Sequence, residues 1–201
     1  MKKKYFELIN GLTDRDLLFH LYMTQIILCV ISLLLGFIFF DHFSYLENII
    51  LDDSHIFTIG IPAGLIVVML DVLLMKWLPS SFYDDGGLNE RIFRNRNICH
   101  IVLIAFFVAF SEELLFRGII QTKVGLVFAS IIFAIIHYRY LFNWFLFVNI
   151  VVLSFLIGLI FEWTNNLAIT IVMHFVIDFL LGVYIKCKSP TRENERGEVR
   201  L

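Results

Sequence analysis

Between Leu17 and Phe40 the chain runs "LLFHLYMTQIILCVISLLLGFIFF" without one Asp, Glu, Lys or Arg. No other feature limits its possible folds so strongly. A helix needs about 20 mostly apolar residues to cross a bilayer core of roughly 30 Å, and this stretch has them. Ile56–Leu78 has them too, interrupted only by Asp71 and Lys76, and Ile98–Phe116 is a third span. Val124–His137 is apolar but short, and it continues through "YRYLFNWFLFVN" into Ile150–Phe161. Leu167–Ile185 closes the series. The expectation is an all-α polytopic transmembrane helix bundle of about six spans, with residues 124–162 divided in an open way between the fourth and fifth.

Composition supports a chain in lipid. Apolar residues make up 59% and charged residues 17%, against roughly 45–50% and 25% in soluble domains. A soluble fold of 201 residues could not hide that much apolar side chain, so the lipid bilayer is the first expected partner. The length fits one integral membrane domain over residues 1–201. The flanks are a basic cytoplasmic N-terminus over 1–16 and a charged tail over 186–201, expected to be disordered. A net charge of −2 gives no reason to expect nucleic acid as a partner. Cys29, Cys99 and Cys187 are scattered, which argues against a disulfide framework and a cysteine zinc site. The first apolar run is long and lacks a small-residue cleavage site, so it reads as a retained span. The expected location is a cell membrane, as a multi-pass protein of bacterial composition.

The connecting segments set an orientation. "DHFSYLENIILDDSH" (41–55) is acidic without Lys or Arg, whereas "PSSFYDDGGLNERIFRNRN" (79–97) holds three arginines. The positive-inside rule puts the N-terminus, the 79–97 segment and the C-terminus in the cytoplasm. Arg117, Lys123 and Arg139 fall on both sides of the short fourth span and leave the face served by the third span open. In the second span, "GIPAG" pairs Gly60 with Gly64, a spacing that lets helices approach closely.

Ionisable side chains inside apolar segments cost a few kcal/mol each on insertion scales, so they mark sites by default. They are Asp71, His100, Glu112, Glu113, Arg117, His137, Glu162, His174 and Asp178. Glu113 and Arg117 are i,i+4 and can pair; Glu112 lies about 100° round the helix and can face another partner. His174 and Asp178 share a face of the last span, as Phe133 and His137 do on the fourth. Three polar stripes avoid lipid by converging, and a carboxylate, two imidazoles and an acidic partner are an inventory for activating water. Asp71 reads better as an internal hydrogen-bonding group. His100 and Glu162 read as interfacial. The chain lacks H-E-x-x-H and G-x-S-x-G. Asp71 with Asp178 as an aspartyl pair, or Asp71, Glu112 and Asp178 as a proton relay, remain alternatives at this point. So does zinc held by Glu112, His137 and His174.

"EELLFRG" (112–118), "FAIIH" (133–137) and "HFVID" (174–178) resemble, in order, the three motifs E-E-x-x-x-R, F-x-x-x-H and H-x-x-x-N/D of the CPBP family. That family includes type II CAAX prenyl endopeptidases and bacterial Abi-type proteins, some linked to bacteriocin self-immunity. The likeness covers roughly residues 98–185. It implies a glutamate-dependent intramembrane endopeptidase with its cavity between helices. Carried over, Glu112 is the general base aided by His137. His174 and Asp178 take the oxyanion positions, and Glu113 with Arg117 holds the site in shape. The prenyl proteases carry Asn where this chain has Asp178, and an ionised Asp cannot donate a hydrogen bond. The implied partner is a membrane-anchored or secreted peptide, with no cofactor in the glutamic version and Zn2+ in the metal-dependent one. A non-catalytic immunity protein is the reading from another class.

Overall fold

The computed structural model describes residues 7, 9 and 11–188. Residues 189–201 of the tail, and most of the N-terminus ahead of Gly11, lie outside the described residues. The described part is helical, with no strand among the described residues. Five helices are long and apolar enough to cross a membrane: α1 (Asp14–Phe39), α2 (Ile56–Trp77), α4 (Ile98–Val124), α6 (Trp144–Thr164) and α7 (Leu167–Lys188). Between them lie the short α3 (Leu88–Phe93) and α5 (Leu126–Ile136).

Polar residues just outside the apolar runs cap the starts of α1, α4 and α7. Thr13 forms a capping box with Asp16, each satisfying the other's backbone N–H at 3.2 and 3.0 Å. Asn97 accepts the His100 N–H at 2.7 Å, and Asn166 accepts the Ala168 N–H at 2.9 Å. Between Leu114 and Gln121 α4 loosens into π-helix directly after Glu113, a local departure that often accompanies functional positions.

Burial separates inner helices from outer ones. Half of the apolar window of α4 is buried, and 44% of that of α7, against 17% for α1 and α2 and 22% for α6. So α4 and α7 form the centre while the others turn mainly outward. The "GIPAG" expectation is met in the packing of α2 on α7. A Cβ on Gly60 would stand 2.9 Å from the Ile169 carbonyl oxygen, and one on Gly64 2.9 Å from that of Met173. Only hydrogen fits there.

The fourth expected span is where the bundle departs from a simple six-helix count. Helix α5 has 11 residues, about 16 Å at 1.5 Å per residue, too short to cross. It ends at His137 partway through the bundle. The 3-10 stretch Tyr138–Phe142 then leads out to the 79–97 segment, where Asn143 Nδ2 donates to the Ser81 and Asp84 carbonyls at 3.0 and 3.4 Å. Trp144 and Phe145 pack on Phe82 at the same end.

Contacts fix which ends lie together. Arg91 binds Asp14 at 3.1 Å, Lys188 sits over the Tyr83 ring, and Gly182 faces Phe93 and Ile101. The start of α1, residues 79–97, residues 138–143 and the end of α7 therefore share one end. At the other end Asn166 ties the α6–α7 turn to Ile50 and Asp53. Tyr45 there packs with Leu114, Ile119, Phe161 and Leu167. The sequence left the face of the third span open. Arg117 is 1% exposed inside the bundle, so it carries no information about sidedness, and Arg139 joins the arginine-rich end.

Candidate active site

From Ile98 to Glu112 the chain climbs about 21 Å along α4 from the arginine-rich end. Glu112 and Glu113 stand in its last regular turn before the π-segment, 7% and 0% exposed. Such burial of two adjacent carboxylates needs strong compensation, and three other helices supply partners.

Glu113 is held from two sides. Its Oε1 accepts from His174 Nδ1 at 2.8 Å, and its Oε2 lies 3.4 Å from Arg117 Nε. Arg117 Nη2 in turn donates to the Ser154 carbonyl at 3.2 Å and to Ser154 Oγ at 3.3 Å. The guanidinium also stands 4.8 Å from the centre of the Phe133 ring, within cation–π range. A chain of contacts therefore joins α7, α4, α5 and α6 through one carboxylate.

Glu112 points elsewhere, as its helical offset requires. Its Oε2 is 3.8 Å from His137 Nε2 and 4.0 Å from His174 Nε2. His137 has one defined tautomeric constraint: its Nδ1 lies 2.9 Å from the Phe133 carbonyl, which can only accept. The proton is thus on Nδ1, and in the neutral ring Nε2 presents a lone pair toward Glu112. Aromatic neighbours set the ring plane, with Phe133 at 4.4 Å and Tyr140 parallel at 6.2 Å. His174 turns its Nε2 toward Glu112 and toward Asp178 Oδ2, at 3.6 Å.

The structure brings together Glu112, Glu113, Arg117, His137, His174 and Asp178. It leaves Asp71 apart, 3.2 Å from Asn149 Nδ2 between α2 and α6. That matches the internal hydrogen-bonding role and removes Asp71 from both the aspartyl pair and the relay. His100 stacks on Tyr22 near the start of α4 with Nε2 3.0 Å from its hydroxyl, and Glu162 is exposed. Among the described residues no group of three or more His, Cys, Asp or Glu is gathered as a metal site.

Three participants escaped the sequence reading. Ser154 on α6 anchors Arg117, and Gln25 on α1 accepts from Ser111 at 2.5 Å beside Glu112. The hydrogen bond from His174 to Glu113, not to Asp178, is the third. Ser154 and Gln25 carried a faint signal as polar residues in apolar runs, but no local spacing names their partners.

Fold and site together define a polytopic helical membrane protein with a buried carboxylate–imidazole cluster. Residues 94–180 match the family described as "Type II CAAX prenyl endopeptidase Rce1-like". The chain is 41% identical over 178 residues to "Uncharacterized protein YpbD" of Bacillus subtilis (strain 168), covering 88% of this chain and 94% of that one. It is 29% identical over 124 residues to "UPF0177 protein YxdF" of Lactococcus lactis subsp. lactis (strain IL1403), covering 59% and 68%. No solved structure matches. The chain belongs to the CPBP family of CAAX-protease-like membrane proteins. At the level of that family it is a protease and a multi-pass membrane protein, with bacterial relatives.

Proposed function

We propose that this protein is a glutamic intramembrane endopeptidase of a bacterial cell membrane, hydrolysing a peptide bond of a membrane-anchored or secreted peptide. One observation carries the reading: Glu112 Oε2 lies within 4.0 Å of imidazole nitrogens from two other helices. Two groups that each bond one water at about 2.8 Å stand about 4.0–4.6 Å apart for angles of about 90–110° at the water. One water bonded at a narrow angle therefore bridges either contact, which supports the reading.

In this mechanism the water donates one proton to Glu112 and orients the other toward His137 Nε2. Its oxygen adds to the scissile carbonyl carbon as Glu112 takes the first proton. The carbonyl oxygen becomes an oxyanion. His174 meets it as an imidazolium, giving Nδ1–H to Glu113 and Nε2–H to the oxyanion. A preorganised donor of that kind is worth about 3 kcal/mol. Glu112 then passes its proton to the departing nitrogen, the C–N bond breaks, and a carboxyl and an amine terminus leave. Arg117 and Ser154 keep Glu113 in place throughout.

Replacing Glu112 with Gln tests the reading, with new peptide termini in membranes and culture medium as the readout. Cleavage is expected to fall by about 10²–10⁴-fold while the variant accumulates normally. Full biological function in the Gln variant would instead indicate a non-catalytic binding protein of the immunity type. Loss of cleavage on chelation, restored by zinc, would replace the glutamic mechanism with a metal-dependent one.

A further inference from the structure

The start of α1 and the short α3 line an open cleft of about 680 Å³ at the arginine-rich end, within the range of roughly 300–1,000 Å³ usual for small-molecule sites. It shares no residue with the buried carboxylate–imidazole cluster. Arg15, Arg91 and Arg94 line it together with Asp14 and Glu90. Three cations against two carboxylates leave the lining one positive charge in excess.

The guanidiniums are held differently. Arg91 is a fixed wall: its Nε donates to Asp14 Oδ1 at 3.1 Å, its Nη1 to the Ile9 carbonyl at 2.9 Å, and its Nη2 to the Leu12 carbonyl. Arg94, at the end of α3, is poorly satisfied. Its Nη1 lies 3.6 Å from Glu90 Oε1, beyond a good hydrogen bond, and its enclosed Nε meets no acceptor. A buried N–H without an acceptor is costly, so this guanidinium gives up little by turning toward an anion in the cleft. Arg15 stands exposed in the first turn of α1.

Depth narrows the chemistry. The apolar run of α1 begins at Leu17, just past Arg15, and α4 begins at Ile98, just past Arg94. Beside the cleft Ile92 packs with Leu18 and Ile104 in an apolar cluster. The cleft therefore sits where hydrocarbon gives way to headgroups. Anionic phospholipids concentrate phosphate at that level of the cytoplasmic leaflet, and basic pockets beside spans bind it.

We propose that this cleft binds a phosphate group, carried by an anionic phospholipid headgroup or by a soluble phosphate. The phosphate sits between Arg15 and Arg94 with Arg91 behind it, and its charge balances the excess cation. Because Phe93 of α3 packs against Gly182 of α7, the bound phosphate ties the outer α1 to the centre of the bundle. The inference stands apart from the protease reading.

Full-length protein in uncharged detergent is titrated with dioctanoyl phosphatidylglycerol, with dioctanoyl phosphatidylcholine, with glycerol 3-phosphate and with inorganic phosphate. Calorimetry reads the binding. Wild type is expected to bind phosphatidylglycerol about tenfold more tightly than phosphatidylcholine, whose choline cation offsets its phosphate, and the affinity should fall as salt rises. Tighter binding of phosphatidylglycerol than of the two soluble phosphates assigns the site to lipid, and the reverse order assigns it to a soluble phosphate; either upholds the proposal. Arg15→Gln and Arg94→Gln should each weaken binding of the preferred probe about tenfold. Lys76→Gln removes a charge at the same end but outside the cleft, and should leave binding unchanged. Glu90→Gln removes the carboxylate that competes for Arg94 and should tighten binding about threefold, a gain that misfolding cannot produce. Equal binding of the two lipids without binding of either soluble phosphate overturns the proposal. So does a loss no larger in Arg15→Gln and Arg94→Gln than in Lys76→Gln, or an unchanged affinity in Glu90→Gln.

Discussion

Glu112 and Glu113 are neighbours in the chain with opposite surroundings, and substitution should separate them. Glu113 touches a guanidinium and an imidazole at 3.4 and 2.8 Å inside the bundle. Removing one partner of a buried ion pair leaves the others uncompensated, typically at about 3–5 kcal/mol. Glu113→Ala is therefore expected to lower the thermal unfolding midpoint in detergent sharply, whereas Glu112→Gln, which keeps the side chain's size and has no close ion pair to break, should lower it much less. Equal losses would mean that both carboxylates are structural. Asp178 provides a second contrast. It lies 3.6 Å from His174 Nε2, beyond a good hydrogen bond, while Glu113 already orients that ring. Asp178→Asn supplies a neutral donor at the oxyanion position, so cleavage should stay within about threefold of wild type, and Asp178→Ala should fall by about tenfold or more. A dead Asn variant would show that the carboxylate itself is needed to keep His174 charged. The sequence made these residues visible because i,i+4 spacing is local arithmetic. It could not show which carboxylate holds His174, since that contact joins α4 and α7 across 61 positions.

At the level of elements, close backbone approach and one buried amide hold the bundle. Gly64 lets α2 lie on α7, and a methyl group there would press on the Met173 carbonyl and Val176 at 2.9 Å. Gly64→Ala is expected to cost about 1–3 kcal/mol by overpacking. Gly11→Ala, with nothing within 4 Å, should cost nothing measurable by the same unfolding assay. Asn166 is fully buried and its side chain makes four hydrogen bonds, to Ile50 N and O, Asp53 Oδ2 and Ala168 N. Asn166→Ala should destabilise by about 3 kcal/mol, because buried backbone groups lose their partners. Asp53 adds a pH arm at the acidic end. Hydrogen bonds from Asn166 and the His55 N–H hold its carboxyl below the ordinary value of 3.8. The contribution is complete above that value and disappears as pH falls through the lower folded one; unfolding followed from pH 6 to pH 2 checks the sign. The long apolar runs made five helices legible in advance, and α1, α2 and α7 end within three residues of the expected bounds, whereas α4 runs eight residues past Phe116 and α6 starts six before Ile150. The truncated α5 and the π-segment were not, because apolar length cannot tell a helix that crosses from one that stops at a packed histidine.

For the whole molecule the charges and the helix ends point the same way. Lys76, Arg91, Arg94, Arg96, Arg139 and Lys186 gather at one end, while among the described residues Lys123 is the one Lys or Arg at the other, beside Asp41, Glu47, Asp52 and Asp53. Positive residues near span ends stay on the cytoplasmic side, so the arginine-rich end should face the cytoplasm. The site lies about 21 Å along α4 from that end. The native cysteines allow a direct measurement. Cys187 and Cys99 are exposed in the last turn of α7 and the first turn of α4, and Cys29 sits within α1. With Cys99→Ser, a membrane-impermeant maleimide should label Cys187 in inside-out vesicles and leave it untouched in intact cells. With Cys187→Ser added, Asp52→Cys should show the reverse pattern. Labelling of Cys187 from outside would invert the bundle and put the arginine-rich end on the external face.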